Sequence, residues 1–173
     1  MKIKNNFLRT TIGFISLILL FSSCSPKIFR YEVERSSKTG AADTYLTKVW
    51  LTTNRVNETK LTDSAVRLAV HGIIFRGVTA DGAQPALGGK KAFELEKTHK
   101  KFFDEFFDKK TGRYHEFAQS IGDGIQASDR IRLRDAPRFR NRFKVGFDVS
   151  IKVRALREYL EQQGVIEKFG APF

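Results

Sequence analysis

The chain has 173 residues and a formal net charge of +12, with 31 Lys or Arg against 19 Asp or Glu and one cysteine. This length fits one ordinary domain, and a single cysteine excludes a disulfide framework within the chain. A basic chain of this size often binds nucleic acid, but the N-terminal segment predicts export, so we expect no nucleic-acid partner.

The first 24 residues carry a processing signal. Lys2, Lys4 and Arg9 form a positive start, residues 12–21 are an apolar run too short to span a bilayer comfortably, and Cys24 follows two serines. This arrangement resembles the lipobox of a bacterial lipoprotein precursor. The resemblance implies that residues 1–23 are a signal peptide and that the Cys24 thiol is lipidated with acyl chains such as palmitate. Two or three chains on one cysteine give stable membrane attachment.

The residues after Cys24 indicate the location. They lack the acidic pair found in surface-exported lipoproteins of Bacteroides-like bacteria. They also lack an Asp directly after Cys24, the residue that is linked with retention at the inner membrane in enterobacteria-like lipoproteins. The resemblance therefore implies a lipid anchor in the outer membrane, with the domain facing the periplasm. The alternative is a buried free cysteine that follows an ordinary signal peptide or an N-terminal anchor helix.

The first part of the mature chain predicts two strands. Residues 24–43 are expected to be a lipid-anchored tether with a short strand, because apolar and charged residues alternate from residue 29 to residue 34. Residues 44–53 are rich in β-branched and aromatic residues and predict a second strand, which can pair with the first as a hairpin. We expect residues 44–173 to form a single domain.

The middle of the chain predicts helices around one strand. Residues 61–71 predict a helix whose start is capped by Thr62 or Asp63. The helix is expected to end with a turn at Gly72, and residues 73–75 predict a short central strand. After a loop, residues 92–109 predict the clearest helix. Its phenylalanines keep helical spacing, and a stripe of four is formed by Phe102, Phe103, Phe106 and Phe107. We expect Phe102 and Phe106 to enter the core, which Phe103 and Phe107 would widen, with an exposed apolar patch for a partner as the alternative.

Two further helices are expected towards the C-terminus. A helical piece is predicted after Gly112, with Tyr114, Phe117 and Ile121 on one side. The last helix is predicted at 155–163 and ends at Gly164, where Leu160 and Val165 hold the positions of the apolar pair in a Schellman cap.

Residues 130–152 show the longest alternation in the chain. Apolar residues hold most odd positions and basic residues most even ones, which predicts a hairpin with one buried and one wet face. Unbroken parity requires a loop of odd length, placed at 140–142 or at 135–137. The prediction puts seven basic side chains on one face: Arg130, Arg132, Arg134, Arg138, Arg140, Arg142 and Lys144.

These elements predict an α+β fold. We expect a mostly antiparallel sheet of about five strands, with three to four helices packed on one face, in a single domain. The seven basic residues would form a docking surface for lipid phosphates or an acidic protein, because Arg matches phosphate and carboxylate with a planar fork of donors. The alternative is a solvated sheet face.

No motif for catalysis or cofactor binding is complete. The glycine-rich loop lacks the first glycine and the final Ser or Thr of a P-loop, and no Ser lies in a G-x-S-x-G elbow. No two of His71, His99 and His115 have zinc-helix spacing. We therefore expect no catalytic residue, no metal and no cofactor, although carboxylates that converge only in space stay possible.

The sequence thus predicts a non-catalytic, lipid-anchored envelope protein with a binding, scaffold or accessory role in a membrane-associated complex. Its expected partners are the membrane, through Cys24, and an envelope protein or anionic lipid. The first alternative is a binder of anionic lipid or lipopolysaccharide that uses the arginine face. The second is a small periplasmic hydrolase.

Overall fold

The computed structural model describes residues 26–38, 44–78, 85–122, 124–133 and 142–168. The predicted lipidation site Cys24 lies outside the described residues, and so do Arg134, Arg138 and Arg140 of the predicted arginine face. The signal peptide and both positions considered for the hairpin loop also lie outside them, apart from Arg142.

Five antiparallel strands form one sheet. They are β1 (Ile28–Lys38), β2 (Thr44–Thr53), β3 (Ala118–Ile121), β4 (Arg130–Leu133) and β5 (Arg142–Lys152). The main path runs β1-β2-β5-β3, and β4 also pairs with β5. Because β2 pairs with nearly all of β5, β3 and β4 share the other edge of β5, β4 along its first residues and β3 along its last.

Within the described residues, four helices complete the fold. They are α1 (Glu58–Phe75), α2 (Ala92–Thr98), α3 (Lys100–Phe106) and α4 (Val153–Gln162). Helix α1 crosses the sheet and contacts β1, β2, β3 and β5, while α4 contacts β2. The predicted α+β fold, with an antiparallel sheet of five strands, four helices and a single domain, is confirmed.

The core lies between the sheet and the helices. Alternate residues of the two central strands face it, and Val49, Leu51, Val145 and Val149 are fully buried there. Since burial of each such side chain is worth about 1.5–3 kcal/mol, this apolar layer is the main source of stability in a chain whose sequence offers no disulfide.

The strand predicted at 73–75 is wrong, because these residues form the last turn of α1. The helix begins one turn earlier than predicted, where the Asn57 side chain accepts a hydrogen bond from the Lys60 backbone at 3.1 Å. Gly72 lies inside the helix and does not end it. A Cβ at this position would lie 2.7 Å from Cγ2 of Val33, so the glycine allows the helix to approach the sheet closely. The chain turns instead at Gly77, where φ is 74°.

The long helix predicted at 92–109 is broken at His99, where φ is −112° and ψ is 33°. The Thr98 hydroxyl donates back to the carbonyls of Glu94 and Leu95, a bond type that bends helices. The core interpretation of the phenylalanine stripe is confirmed. Phe103 and Phe106 are buried, and two further phenylalanines of the stripe, 102 and 107, pack against the core half-buried.

The helical piece predicted after Gly112 is largely wrong. A single 3₁₀ turn, Arg113–Glu116, is followed by β3, because backbone pairing with β5 wins over local helix formation. The end of the last helix is confirmed. Gly164 has a φ of 67°, and the Val165 backbone donates to the Leu160 carbonyl at 2.9 Å, the long bond of a Schellman cap.

Candidate functional site: the open sheet face, its basic end and two clefts

The arginine face predicted from alternation is not a single face. In the β4–β5 pair, Ile131 is opposite Lys144 and Arg132 is opposite Phe143. Directly paired residues point to the same side of a sheet, so Arg130 and Arg132 lie on the side of Phe143, while Arg142 and Lys144 lie on the other side. The shared-face prediction is wrong because eight residues, an even number, separate the two strands and shift the parity. The hairpin itself is confirmed.

The open face of the sheet carries a network of paired charges around Trp50. Lys48 Nζ lies 2.6 Å from an Asp129 oxygen and 3.2 Å from an Asp148 oxygen, and Lys144 Nζ lies 2.9 Å from a Glu32 oxygen. Hydrogen bonding from Lys144 lowers the pKa of Glu32. Each lysine of this network therefore has a carboxylate partner, and the centre of the face is not a region of excess positive charge.

Trp50 occupies the middle of this network. The ammonium groups of Lys48 and Lys144 lie 5.7 and 5.1 Å from its ring, and its Nε1 donates to Glu34 at 3.1 Å. The ring packs over Gly146, where a Cβ would lie 2.8 Å from a ring carbon. Sequence analysis missed this site. The signal that could have found it is an isolated tryptophan on the polar side of a strand.

Excess positive charge gathers instead at one end of the sheet. We call this the basic end and define it by four strand-end segments that the pairing places side by side: 27–30, 52–55, 131–133 and 142–144. The segments contain no Asp or Glu and six cationic residues, which are Lys27, Arg30, Arg55, Arg132, Arg142 and Lys144. Glu32 is the adjoining carboxylate and pairs with Arg30 at 3.0 Å as well as with Lys144.

The basic end also exposes apolar side chains. Among the described residues, five large hydrophobic side chains are exposed, and three of them lie here: Phe29 at 40%, Ile131 at 46% and Leu133 at 37%. The Arg142 guanidinium lies 4.1 Å from the centre of the Phe29 ring, and Lys27 Nζ lies 5.6 Å from it. The tertiary structure thus combines cations with apolar groups at a single place on the surface.

His71 lies at a cleft of about 540 Å³ between α1, α2 and α3. Its Nδ1 is 2.6 Å from the Tyr31 hydroxyl, and its Nε2 is 3.6 Å from a Glu96 oxygen. Arg67, Lys97 and the Phe103 ring also line the cleft. No local sequence pattern could have indicated this group, because Tyr31 precedes His71 by 40 residues and lies on a different element.

The protonation of this group follows from its surroundings. Burial raises the pKa of the Tyr31 phenol, so this group stays protonated and donates to Nδ1. Burial lowers the pKa of His71 despite the Glu96 carboxylate, so the imidazole is neutral at pH 7. We therefore assign the ring proton to Nε2, which faces Glu96, and the imidazole presents a hydrogen-bond donor on that side.

A second cleft, of about 650 Å³, lies beside the first part of α1. Asp63 is its central carboxylate: one oxygen accepts from the Tyr114 hydroxyl at 3.0 Å and lies 3.4 Å from His115 Nε2. Burial, followed by the hydrogen bond to Asp63, raises the pKa of Tyr114. Each cleft therefore contains a histidine beside a carboxylate, Glu96 at His71 and Asp63 at His115. A tyrosine hydroxyl bonds to the histidine in the first cleft and to the carboxylate in the second.

Within the described residues, no group of three or more His, Cys, Asp or Glu side chains is arranged to hold a metal ion. Within the same residues, no helix is both long and apolar enough to cross a membrane.

Comparison with known proteins adds no family. The chain matches no protein-family model, no curated protein and no solved structure. Its function is therefore inferred from the residues and geometry of this chain.

Proposed function

We propose that this protein is a lipid-anchored envelope protein with a non-catalytic binding or accessory role, attached through Cys24 to the outer membrane and facing the periplasm. The observation that carries the proposal is the N-terminal segment, in which a basic start and a short apolar run lead directly to the only cysteine. The described fold adds support, because β1 begins at Ile28, with only three residues between it and Cys24.

The geometry of the His71 cleft favours binding over hydrolysis. A general base must offer a lone pair to the proton that it removes. Here the Tyr31 hydroxyl occupies the lone pair on Nδ1, and the other nitrogen carries the proton. The group is therefore better suited to donate a hydrogen bond than to activate water.

Mass spectrometry of the mature chain from membranes tests the anchor. We expect Cys24 to be the first residue and to carry a diacylglyceryl group, and we expect the Cys24→Ser variant to remain unprocessed. A mature chain that retains a free Cys24 thiol would contradict the proposal.

Gentle solubilisation tests the accessory role. We expect the tagged, lipidated chain to retain one envelope protein in stoichiometric amount, and we expect that protein, used as bait, to retain this chain. A chain that stays monomeric and retains neither protein nor lipid would contradict the accessory role. Retention of anionic lipid alone would favour the lipid-binding alternative.

The hydrolase alternative has its own test. Wild type and His71→Asn are compared for hydrolysis of p-nitrophenyl acetate and p-nitrophenyl phosphate. We expect both proteins to give only the background rate. A rate above background that His71→Asn abolishes would reverse the choice between binding and hydrolysis.

A further inference from the structure

We propose that the basic end of the sheet is a membrane-docking surface, which rests on anionic phospholipid headgroups and inserts Phe29, Ile131 and Leu133 at the level of the interface. This inference rests on the proposed lipidation of Cys24. It adds an orientation: the strands of the sheet stand on the bilayer at the end where β1 begins.

The tether between Cys24 and the sheet is short. Three residues separate Cys24 from Ile28, and at 3.3–3.6 Å per residue they reach no further than about 10–15 Å. A lipidated Cys24 lies at the bilayer surface. The start of β1 must therefore stay within that distance of the headgroups, together with the ends of the neighbouring strands.

The start of β1 lies in a row with the ends of three other strands. Ile28 pairs with Thr53, Thr53 with Phe143, and Phe143 with Arg132, so the four strand ends form one continuous row. With strands about 4.8 Å apart, the row spans roughly 15 Å. The short tether therefore brings the whole basic end near the membrane, and not only β1.

Charge also distinguishes this end of the sheet. The row carries six cationic residues and no carboxylate, and among the described residues Glu32 adjoins it and pairs with Arg30 and Lys144. At the opposite end of the sheet, segments 37–38, 44–45, 118–119 and 150–152 contain two cations, Lys38 and Lys152. Anionic headgroups attract basic side chains within about a Debye length of the surface, so the two ends differ strongly in their attraction.

Exposed apolar side chains lie between the cations of the basic end. A partly inserted surface needs apolar side chains at its outermost points and cations that remain at headgroup level. Phe29 with the Arg142 guanidinium 4.1 Å from its ring centre has this arrangement. Ile131 and Leu133 stand on the same side of the sheet as Arg142 and Lys144.

Site-specific fluorescence tests the orientation. The sequence has one cysteine, so once lipidation has blocked Cys24, a new cysteine is the only reactive thiol. We would label Leu133→Cys and Phe29→Cys with an environment-sensitive dye and reconstitute the lipidated chain in vesicles of phosphatidylethanolamine and phosphatidylglycerol. Lys152→Cys is the matched control, because its position is exposed and lies about 33 Å along β5 from Arg142.

We expect blue-shifted emission and strong quenching by nitroxide-labelled lipids at positions 133 and 29, and neither effect at position 152. Equal quenching at all three positions, or stronger quenching at 152, would overturn the docking surface. Emission from Trp50, the only tryptophan, checks that each labelled variant is folded. Because two positions are labelled, the test still gives a result if one of the variants does not fold.

Charge reversal tests the electrostatic part. Arg55→Glu with Arg132→Glu should reduce the quenched fraction at position 133 by more than about fivefold, since each basic residue near an anionic surface contributes roughly that factor. Lys152→Glu should leave the fraction unchanged. Vesicles of phosphatidylcholine alone should act like the double variant, and an effect independent of lipid charge would contradict the proposal.

Failure of docking and failure of the anchor give different results. A chain with lipidated Cys24 but no lipid contact at positions 133 and 29 overturns docking and leaves the proposed function intact. A mature chain whose Cys24 carries no lipid overturns the proposed function and removes the tether argument with it.

Discussion

The two faces of β2 and β5 are stabilised in different ways. On the core face, Leu51 and Val145 are paired, fully buried and covered by helices. On the open face, the neighbouring residues of the same strands are Trp50 and Gly146, surrounded by charged pairs. The core face depends on burial of apolar area, whereas the open face depends on one aromatic ring and its fit over a glycine.

This difference indicates which residues can be substituted without unfolding the protein. Truncation of a core side chain lowers the free energy of unfolding, because buried apolar area is lost and a cavity remains in a close-packed region. Exposed charge pairs contribute little to stability, so the charged residues of the open face and of the basic end can vary with little effect on the free energy of unfolding. These surfaces are therefore free to serve binding.

The largest expected effect is on the core face. Leu51→Ala should lower the free energy of unfolding by about 2–5 kcal/mol, through lost burial and the cavity that it leaves. Thr52→Ala, one residue along the strand and on the open face, is the control and should cost less than about 1 kcal/mol. Urea unfolding followed by Trp50 emission gives both values. Equal costs would show that the two faces do not differ as described.

The next effect tests the fit of Trp50 over Gly146. Gly146→Ala should cost about 1–3 kcal/mol, because the new Cβ would lie 2.8 Å from the ring. In a Trp50→Ala background the same change should instead stabilise by about 0.5–1 kcal/mol, since Ala is better than Gly within a strand. Unfolding followed by circular dichroism measures the double-mutant cycle. The same cost in both backgrounds would rule out the contact.

A smaller effect concerns pH and His71. Because burial holds the pKa of His71 below its usual value of 6.5, the unfolded chain takes up a proton before the folded one does. The stability from this group is present above about pH 6.5 and is lost as the pH falls below that value towards the folded pKa. Urea unfolding between about pH 8 and pH 5 should show this loss in wild type and a smaller one in His71→Asn. An identical pH dependence of the free energy of unfolding in wild type and His71→Asn would contradict this prediction.

The smallest effect is in the charged pairs of the open face. Asp129→Asn should cost about 1 kcal/mol or less, since Lys48 and Asp129 are only partly shielded from water. Burial alone would lower the pKa of Lys48, and its two carboxylate partners outweigh that effect and raise it. Asp104→Asn, in the exposed pair with Lys100, is the control and should cost nearly nothing. A larger cost at Asp104 would reverse this ranking.

Local signals in the sequence were enough to predict several elements. The Schellman cap at Gly164 is set by residues within one turn of each other, and the hairpins β1–β2 and β4–β5 follow from period-two alternation. The α+β class follows from these elements. The lipobox at Cys24 is also a local signal, and it stays a prediction because the residue lies outside the described ranges.

Other features depend on contacts between distant residues. Gly72 suggested a helix exit, yet it serves the approach of α1 to Val33. The strand at Ala118–Ile121 forms because it pairs with β5, and the Tyr31–His71 contact joins residues 40 positions apart. The helix and strand propensities of neighbouring residues carry no information about such contacts.

The sequence by itself determined the amount of positive charge, the fold class and the predicted anchor. Only the tertiary structure decided where that charge lies. Alternation predicted one arginine face, but strand register depends on the length of the connecting loop, and a shift of one residue moves every side chain to the opposite face. The register of β4 against β5 divides the predicted face, and antiparallel pairing assembles the basic end from four distant segments.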